Sequence, residues 1–209
     1  MGNLYTIGHS TLKLDDFFQL LHIHNINYVL DVRSIPYSKY ANQFDREILS
    51  SFLRHKKIHY VYMGTHFGAR QENQALYDQD GILDFEKVRA DDAFQIRIKN
   101  VEKGLTEGYN IALMCSEKDP FNCHRAIMVA RGFELDNIKV NHILHDGTLL
   151  SQNDLNERLL NFFFPNRNQL CLEIDGASEL NNTDYLVEAY RKRNKQIGYH
   201  LLSNYEDVV

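Results

Sequence analysis

The stretch Asn110–Leu135 constrains the fold more than any other part of the sequence. It opens with the uninterrupted apolar run Ile111–Met114, which is typical of a strand buried on both faces. It closes with apolar residues at helical spacing between Cys123 and Leu135. The polar residues between these two segments include the turn-prone pair Asp-Pro. The stretch therefore predicts a strand, a loop and a helix in direct succession.

Four reactive side chains lie at the two ends of this loop. Cys115 directly follows the strand, and Cys123, His124 and Arg125 open the helix. The positive end of a helix dipole favours anions and stabilises the thiolate, which is the nucleophilic form of cysteine. We therefore predict a thiol-centred site in which Cys115 or Cys123 is the nucleophile. His124 would transfer protons there, and Arg125 would bind an anionic group of the substrate.

Two other interpretations of this cluster stay open. In the first, Cys115 is a small buried residue at a strand end and the first turn of the helix faces solvent. In the second, the cysteines and His124 bind a metal ion, with a fourth ligand from His9, His145 or Asp146. Seven residues separate the two cysteines, which is not the spacing of a zinc knuckle. We therefore assign no metal ligands from the sequence.

Short apolar runs alternate with segments of helical periodicity along the first 150 residues. Strands are predicted at Leu4–Ile7, Tyr28–Leu30, Ile58–Met63, Ile111–Met114 and Lys139–Leu144, and helices at Leu12–Ile23, Arg46–His55 and Asp84–Glu107. This alternation is typical of the α/β class, with a mostly parallel sheet, helices on both faces and Rossmann-like layering. We predict that residues 1–150 form this domain and carry the site.

The pattern changes beyond residue 150. Helices are predicted at Gln152–Phe162 and Asp184–Lys195, with a polar, Asn-rich segment between them. Cys171 in that segment has no reactive neighbours in the sequence, and we expect it to be structural. We predict that residues 151–209 form a helical C-terminal extension packed on the domain.

Polar side chains follow four of the five predicted strands. In chain order these are His9 and Ser10, then Asp31, Arg33 and Ser34, then Cys115, then His145 and Asp146. The carboxyl ends of parallel strands meet at one edge of a sheet, and ligands bind outside that edge. Proton transfer is therefore also assigned to His9 and Asp146. Substrate binding is assigned to Ser10, Asp31, Arg33 and Ser34.

Two arginines outside the cysteine stretch are further candidates for binding an anion. An arginine can donate two parallel hydrogen bonds to a carboxylate or phosphate. Arg33 has an equally plausible alternative, which is an ion pair with Asp31. Gly68 permits close approach of the backbone to a ligand, and Arg70 follows it in a loop that could equally be an ordinary surface loop. Tyr37 lies in an aromatic loop that could stack on a base or a sugar.

Composition narrows the classes of function. The net charge of −5 does not favour a nucleic-acid partner, although a local basic groove is compatible with it. No apolar run reaches the length of a membrane span, and the N-terminus does not have the zones of a signal peptide. Three cysteines do not form a disulfide framework, so we expect a cytoplasmic protein. No cofactor and no oligomeric state is indicated.

The motifs together resemble a known family. They are residues 5–10, residues 31–36, residues 67–70, the cysteine stretch and residues 145–147, and in this order they resemble the family catalogued as domain of unknown function 488. The resemblance covers the first 150 residues and implies an α/β domain whose site is built from these motifs, without implying a reaction. A weaker analogy is to rhodanese-like domains, which also have Asp-Val-Arg after an early strand. Those domains hold the arginine in a compact loop, whereas Cys115 and Arg125 are farther apart here.

Two hypotheses of different classes follow. The first is an enzyme with a cysteine, histidine and arginine site that acts on a small anionic substrate, nucleotide-like or phosphorylated. The second is a non-catalytic module that senses or binds a nucleotide or a nucleic-acid end. A metal-binding protein and a sulfur-transfer protein are minor alternatives.

Overall fold

The computed structural model describes residues 1–167 and 182–201. Cys171 and the Asn-rich segment predicted around it lie outside the described residues. The described chain forms a six-stranded sheet with the strands β1 (Leu4–Gly8), β2 (Tyr28–Asp31), β3 (His59–Tyr62), β4 (Ile111–Cys115), β5 (Val140–Ile143) and β6 (Leu149–Ser151).

The strands follow the order β3-β2-β4-β1-β5-β6 across the sheet. Only β5 and β6 are antiparallel, and every other neighbouring pair is parallel. β1 lies inside the sheet between β4 and β5, and Gly8 at its end is level with Cys115. The predicted mostly parallel sheet is confirmed. The sequence does not predict β6, because three residues are too few for a periodic signal.

Helices cover both faces of the sheet, as predicted. They are α1 (Leu14–Ile23), α2 (Arg46–His55), α3 (Gly64–Phe67), α4 (Phe85–Ala90), α5 (Asp92–Thr106), α6 (Arg131–Leu135), α7 (Gln152–Phe163) and α8 (Asn182–Ile197). On one face, apolar side chains of α1 and α2 pack with Val29 and Met114. On the other face, side chains of α5, α7 and α8 pack with Leu30 and Leu113. Each face therefore has its own hydrophobic core.

The single helix predicted over Asp84–Glu107 is two helices, α4 and α5. Asp91 separates them, because its backbone is extended and its side chain accepts a hydrogen bond from the backbone N–H of Ala93. This is the geometry of a helix N-cap. Apolar residues continue at helical spacing across the break, so periodicity alone does not show it.

The helix that follows the two cysteines begins as a π-helix, Arg125–Ala130, and continues as α6. All six residues of the π-helical segment are buried. π-Helical turns are rare and occur frequently at functional sites. The apolar spacing predicts a helix here, and the structure confirms a helix, but the spacing does not distinguish a π-helix from an α-helix.

The C-terminal helical extension is confirmed, and it shares the core of the domain. Leu155 and Leu159 of α7 are buried in the same cluster as Ala189 and Tyr190 of α8 and side chains of β4. The Tyr190 hydroxyl donates a hydrogen bond of 2.6 Å to Asn156 Oδ1, which joins the two helices through a buried polar contact. The extension therefore helps to cover one face of the sheet.

Candidate active site

A cleft of about 650 Å³ opens at the carboxyl edge of the sheet. Four parts of the chain line it. They are residues 33–37 after β2, residues 69–70 after β3, residues of the segment 115–124, and residues 197–200 after α8. Ligands of parallel sheets bind at this edge, so this cleft is the candidate binding site of the protein.

Cys115, Cys123 and His124, here named the thiol cluster, lie on the wall of this cleft. Their sulfur and ring nitrogen atoms all lie within 4.8 Å of one another, and Cys115 Sγ is 3.8 Å from His124 Nδ1. His124 Nε2 lies 3.0 Å from the carbonyl oxygen of Val32. Because a carbonyl oxygen only accepts, Nε2 carries the proton and Nδ1 is the nitrogen that faces the thiols.

The surroundings give the two thiols different properties. Burial alone would raise the pKa of Cys123, but a hydrogen bond from Cys115 and the Arg125 guanidinium hold it well below its usual range. The same hydrogen bond, together with burial, raises the pKa of the Cys115 thiol. Burial also opposes a charge on His124, but Cys123 outweighs burial and raises the pKa of the imidazole. This arrangement favours a Cys123 thiolate beside a protonated His124.

Arg125 lies behind the thiol cluster and does not reach the cleft. Its side chain is fully buried, and the guanidinium donates to the carbonyl oxygens of Glu117 and Lys118 and to Thr6 Oγ1. The structure therefore does not place Arg125 in the lining of the cleft, and substrate binding by Arg125 stays a prediction. The protein itself uses these donors, and they tie the loop between the cysteines to β1.

Gly8 makes this arrangement possible. A Cβ atom at this position would overlap with the carbonyl group of Glu117 and would touch a guanidinium nitrogen of Arg125. The backbone N–H groups of the next two residues donate to the carbonyl oxygens of Cys115 and Ser116. The chain after β1 therefore runs directly against the loop that holds the cysteines.

Asp31, Arg33 and His9 form a second polar cluster, which is also buried. Arg33 donates to the Asp31 carboxylate from Nε at 2.9 Å and from Nη2 at 2.6 Å, and its Nη1 lies 3.1 Å from His9 Nε2. Nη2 donates further to the carbonyl oxygen of Phe44. The ion pair that the sequence allows as an alternative is thus the arrangement present. It leaves little of Arg33, and none of the Asp31 carboxylate surface, open to a ligand.

His9 is held neutral in this cluster. Burial, and then the charge of Arg33, lower its pKa to about 4. Its Nδ1 donates to the carbonyl oxygen of Ser10 at 2.8 Å, and its ring stacks on Phe44 with 4.2 Å between centroids. Both ring nitrogens of His9 are therefore engaged, and the structure places His9 beside Arg33 and outside the lining of the cleft.

Arg70 lines the cleft and is exposed. Its backbone N–H donates to Ser34 Oγ at 2.8 Å, and its guanidinium lies 4.7 Å above the centre of the Tyr199 ring. Within residues 1–167 and 182–201, Arg70 forms no ion pair with a carboxylate. A Cβ atom at Gly68 would overlap with Ser34 Oγ and the carbonyl oxygen of Gly64, so glycine permits this tight loop.

Ser10, His145 and Asp146 lie outside the cleft lining. His145 Nε2 is 2.8 Å from the carbonyl oxygen of Gly8, and the Asp146 carboxylate accepts from the backbone and hydroxyl of Thr148. Asp146 lines a different cavity. The structure therefore does not bring Asp146 to the thiol cluster, and its part in proton transfer stays a prediction. Of the fourth metal ligands that the sequence offers, none lies with the thiol cluster in the described structure.

The wall of the cleft formed by residues 197–200 is not predicted from the sequence. These residues directly follow α8, and α8 packs against the loop between the two cysteines. The Arg193 guanidinium of α8 lies 3.7 Å from the centre of the Phe121 ring in that loop. Leu83 also donates a backbone hydrogen bond to the carbonyl oxygen of Tyr199. Glu117, two residues after Cys115, is a second lining residue that the motifs do not identify. No local pattern marks either feature.

The fold and the site define an α/β protein with a thiol and imidazole cluster at the carboxyl edge of a mostly parallel sheet. The sequence profile of the family described as domain of unknown function DUF488 matches residues 13–131, more than half of the chain. The chain belongs to this family. No curated protein and no solved structure matches it. Among the described residues, no helix has the length and apolar character needed to cross a bilayer.

Proposed function

We propose that the chain is a thiol-dependent enzyme that acts on a small anionic substrate, nucleotide-like or phosphorylated. The observation that carries the proposal is the thiol cluster, two cysteines and a histidine within 4.8 Å on the wall of a cleft. Nucleophilic cysteines are commonly activated by a neighbouring histidine and by the N-terminus of a helix. Both features are present at Cys123.

The two cysteines have different roles in this proposal. Cys123 is the nucleophile, because hydrogen bonding and positive charge favour its thiolate. Cys115 donates a hydrogen bond to that thiolate and keeps it in place. His124 is the cationic partner of Cys123 and gives its Nδ1 proton to the leaving group, while Val32 holds the ring through Nε2. Glu117 lines the same cleft and is available as a second acid–base group.

The substrate class follows from the opposite wall of the cleft. Arg70 supplies a guanidinium that has no carboxylate partner among the described residues, which is suited to a phosphate or a carboxylate. Tyr37 and Tyr199 supply aromatic surface beside it. A molecule with an anionic group and a planar ring would contact both.

Alkylation rates test the nucleophile. Near pH 6, at about two units below the usual pKa of a thiol, we expect iodoacetamide to modify Cys123 at least about tenfold faster than Cys171. Cys115→Ala should slow this reaction near pH 6 and much less near pH 9, because alanine cannot donate the hydrogen bond that lowers the pKa of Cys123. Peptide mass spectrometry of the full chain measures each site separately.

The same measurement separates the two hypotheses from the sequence. A non-catalytic binding module has no need of an activated thiol. Equal alkylation rates at Cys115, Cys123 and Cys171 throughout this pH range would therefore favour the binding module over the enzyme.

Thermal shifts test the substrate class. A nucleoside monophosphate is expected to raise the melting temperature of the full chain, whereas the parent nucleoside at the same concentration is not. Arg70→Ala should abolish the shift, and the matched surface substitution Arg191→Ala should leave it unchanged. Equal shifts with Arg70→Ala and with the unchanged chain would remove Arg70 from the site.

A further inference from the structure

We propose that the thiol cluster is also a binding site for a thiophilic divalent cation such as Zn²⁺, with an open coordination position toward the cleft. Cys115 Sγ, Cys123 Sγ and His124 Nδ1 are the ligands. The inference rests on the proposed function in one respect. A metal ion bound to the cluster would suppress the reactivity that the proposed function assigns to the Cys123 thiolate.

The distances suit tetrahedral zinc. Zn–S bonds of about 2.3 Å and Zn–N bonds of about 2.0 Å place neighbouring ligand atoms roughly 3.5 to 4 Å apart. Cys115 Sγ and His124 Nδ1 are 3.8 Å apart, and all three ligand atoms lie within 4.8 Å of one another. Only small side-chain movements are needed to bring the three atoms around one ion.

The orientation of His124 is a second, independent observation. A histidine that binds a metal commonly donates its other ring N–H to a carbonyl or carboxylate, which fixes the ring. His124 Nε2 has this contact with the carbonyl oxygen of Val32 at 3.0 Å. The ring is thereby held with Nδ1 toward the two sulfur atoms, and this nitrogen becomes a ligand when it loses its proton.

The charges around the cluster favour the anionic ligands. The fully buried Arg125 guanidinium follows His124 directly in the chain and is a fixed positive charge beside the two sulfur ligands. Two thiolates neutralise a divalent cation, so the ion and its three ligands together carry no net charge. Metal binding must release protons from the ligands, so it should strengthen as the pH rises.

The fourth position is the part that distinguishes this site from a purely structural one. Among the described residues, no other histidine, cysteine or carboxylate joins the three ligands. All three line the cleft, so water or an anionic group of a bound molecule would complete the tetrahedron. Catalytic zinc sites have three protein ligands and an open position of this kind.

Binding of Co²⁺ and Zn²⁺ to the full chain tests the proposal. The protein is prepared with a chelator and a reductant, and Co²⁺ is then added. We expect one Co²⁺ per chain, with sulfur-to-metal charge-transfer bands of the intensity of two thiolates and the visible bands of tetrahedral cobalt. Zn²⁺ should displace it and should protect Cys115 and Cys123 from iodoacetamide by at least about tenfold, while Cys171 reacts as before.

Variants assign the ligands. Cys115→Ser, Cys123→Ser and His124→Ala should each weaken Zn²⁺ binding by more than about 100-fold, whereas Cys171→Ser should not change it. If a variant does not fold, two measurements on the unchanged chain still identify the ligands. They are the intensity of the charge-transfer bands and the protection of Cys115 and Cys123 from iodoacetamide. Absence of both signals at a several-fold excess of metal, or their persistence in Cys123→Ser, would overturn the site.

The results distinguish this inference from the proposed enzyme. Fast alkylation of Cys123 in the metal-free chain, with no metal bound, refutes the metal site and leaves the thiol enzyme supported. The opposite result is one metal ion bound per chain, with Cys115 and Cys123 alkylated no faster than Cys171 in the metal-free chain. That result refutes the thiol enzyme and leaves the metal site supported.

Discussion

Replacing Arg125 by methionine is expected to lower the free energy of unfolding by about 3–5 kcal/mol, a large effect for a single substitution. The side chain is fully buried and donates to Thr6, Glu117 and Lys118. Methionine fills a similar volume but donates no hydrogen bond. The Thr6 hydroxyl and two part-buried loop carbonyl oxygens therefore lose their donor, at about 1–3 kcal/mol for each group that water does not reach.

Urea unfolding of the full chain measures this loss, and Arg191→Met is the control. Arg191 pairs with Glu86 at the surface, where both side chains are more than two-fifths exposed, so its loss should change stability by less than about 1 kcal/mol. Arg125→Met should also slow the alkylation of Cys123, since the charge that favours its thiolate is removed. Equal stability of the two variants would show that the loop between the cysteines does not depend on Arg125.

Mild acid is expected to destabilise the protein steeply, by roughly 2–3 kcal/mol per pH unit between about pH 6.5 and pH 4. Two buried histidines cause this. The pKa of His142 is lowered to about 3, mainly by burial and then by Arg125, and the pKa of His9 is lowered to about 4. His142 Nδ1 hydrogen bonds with Thr6 Oγ1 at 2.8 Å in a fully buried position.

The direction follows from the protons that each state binds. Below about pH 6.5 the unfolded chain protonates both histidines, whereas the folded chain keeps them neutral until their lowered pKa values are reached. The unfolded state therefore binds more protons, and stability falls as the pH falls. Each histidine contributes about 1.4 kcal/mol per pH unit within this window.

Single substitutions measure how much each histidine contributes to the change in unfolding free energy with pH. His142→Gln should remove about half of the pH dependence, and His9→Gln a similar part, when unfolding free energies are measured at several pH values. Substitution of the exposed His55 should leave the slope unchanged. A slope that is the same in His142→Gln as in the unchanged chain would mean that His142 is protonated in the folded protein.

The fold and the position of the site are largely predictable from this sequence, because they depend on local patterns. Apolar runs such as Ile111–Met114 identify strands wherever both faces are buried, and the polar residues that follow them identify the edge of the sheet. The sequence therefore predicts that Cys115, Cys123 and His124 lie at this edge, and the structure brings their side chains together there.

The roles of the arginines are not predictable in the same way. Arg33, Arg70 and Arg125 all follow predicted strands or open a helix, and each could bind an anion for the same reason. Their surroundings differ because Arg33 forms an ion pair with Asp31, whereas Arg125 donates to two loop carbonyl oxygens. Arg70 lies above an aromatic ring at the cleft. These partners are set by tertiary packing and not by the spacing of residues in the chain.

The position of β1 limits how this family domain can be cut from its chain. The profile match begins at Lys13, after β1 has ended, yet β1 is bordered on both sides by other strands. A fragment that starts where the match starts would leave a gap of one strand through the middle of the sheet, and the remaining edges of β4 and β5 would have unpaired backbone groups. Expression boundaries for this protein therefore have to include its first residues.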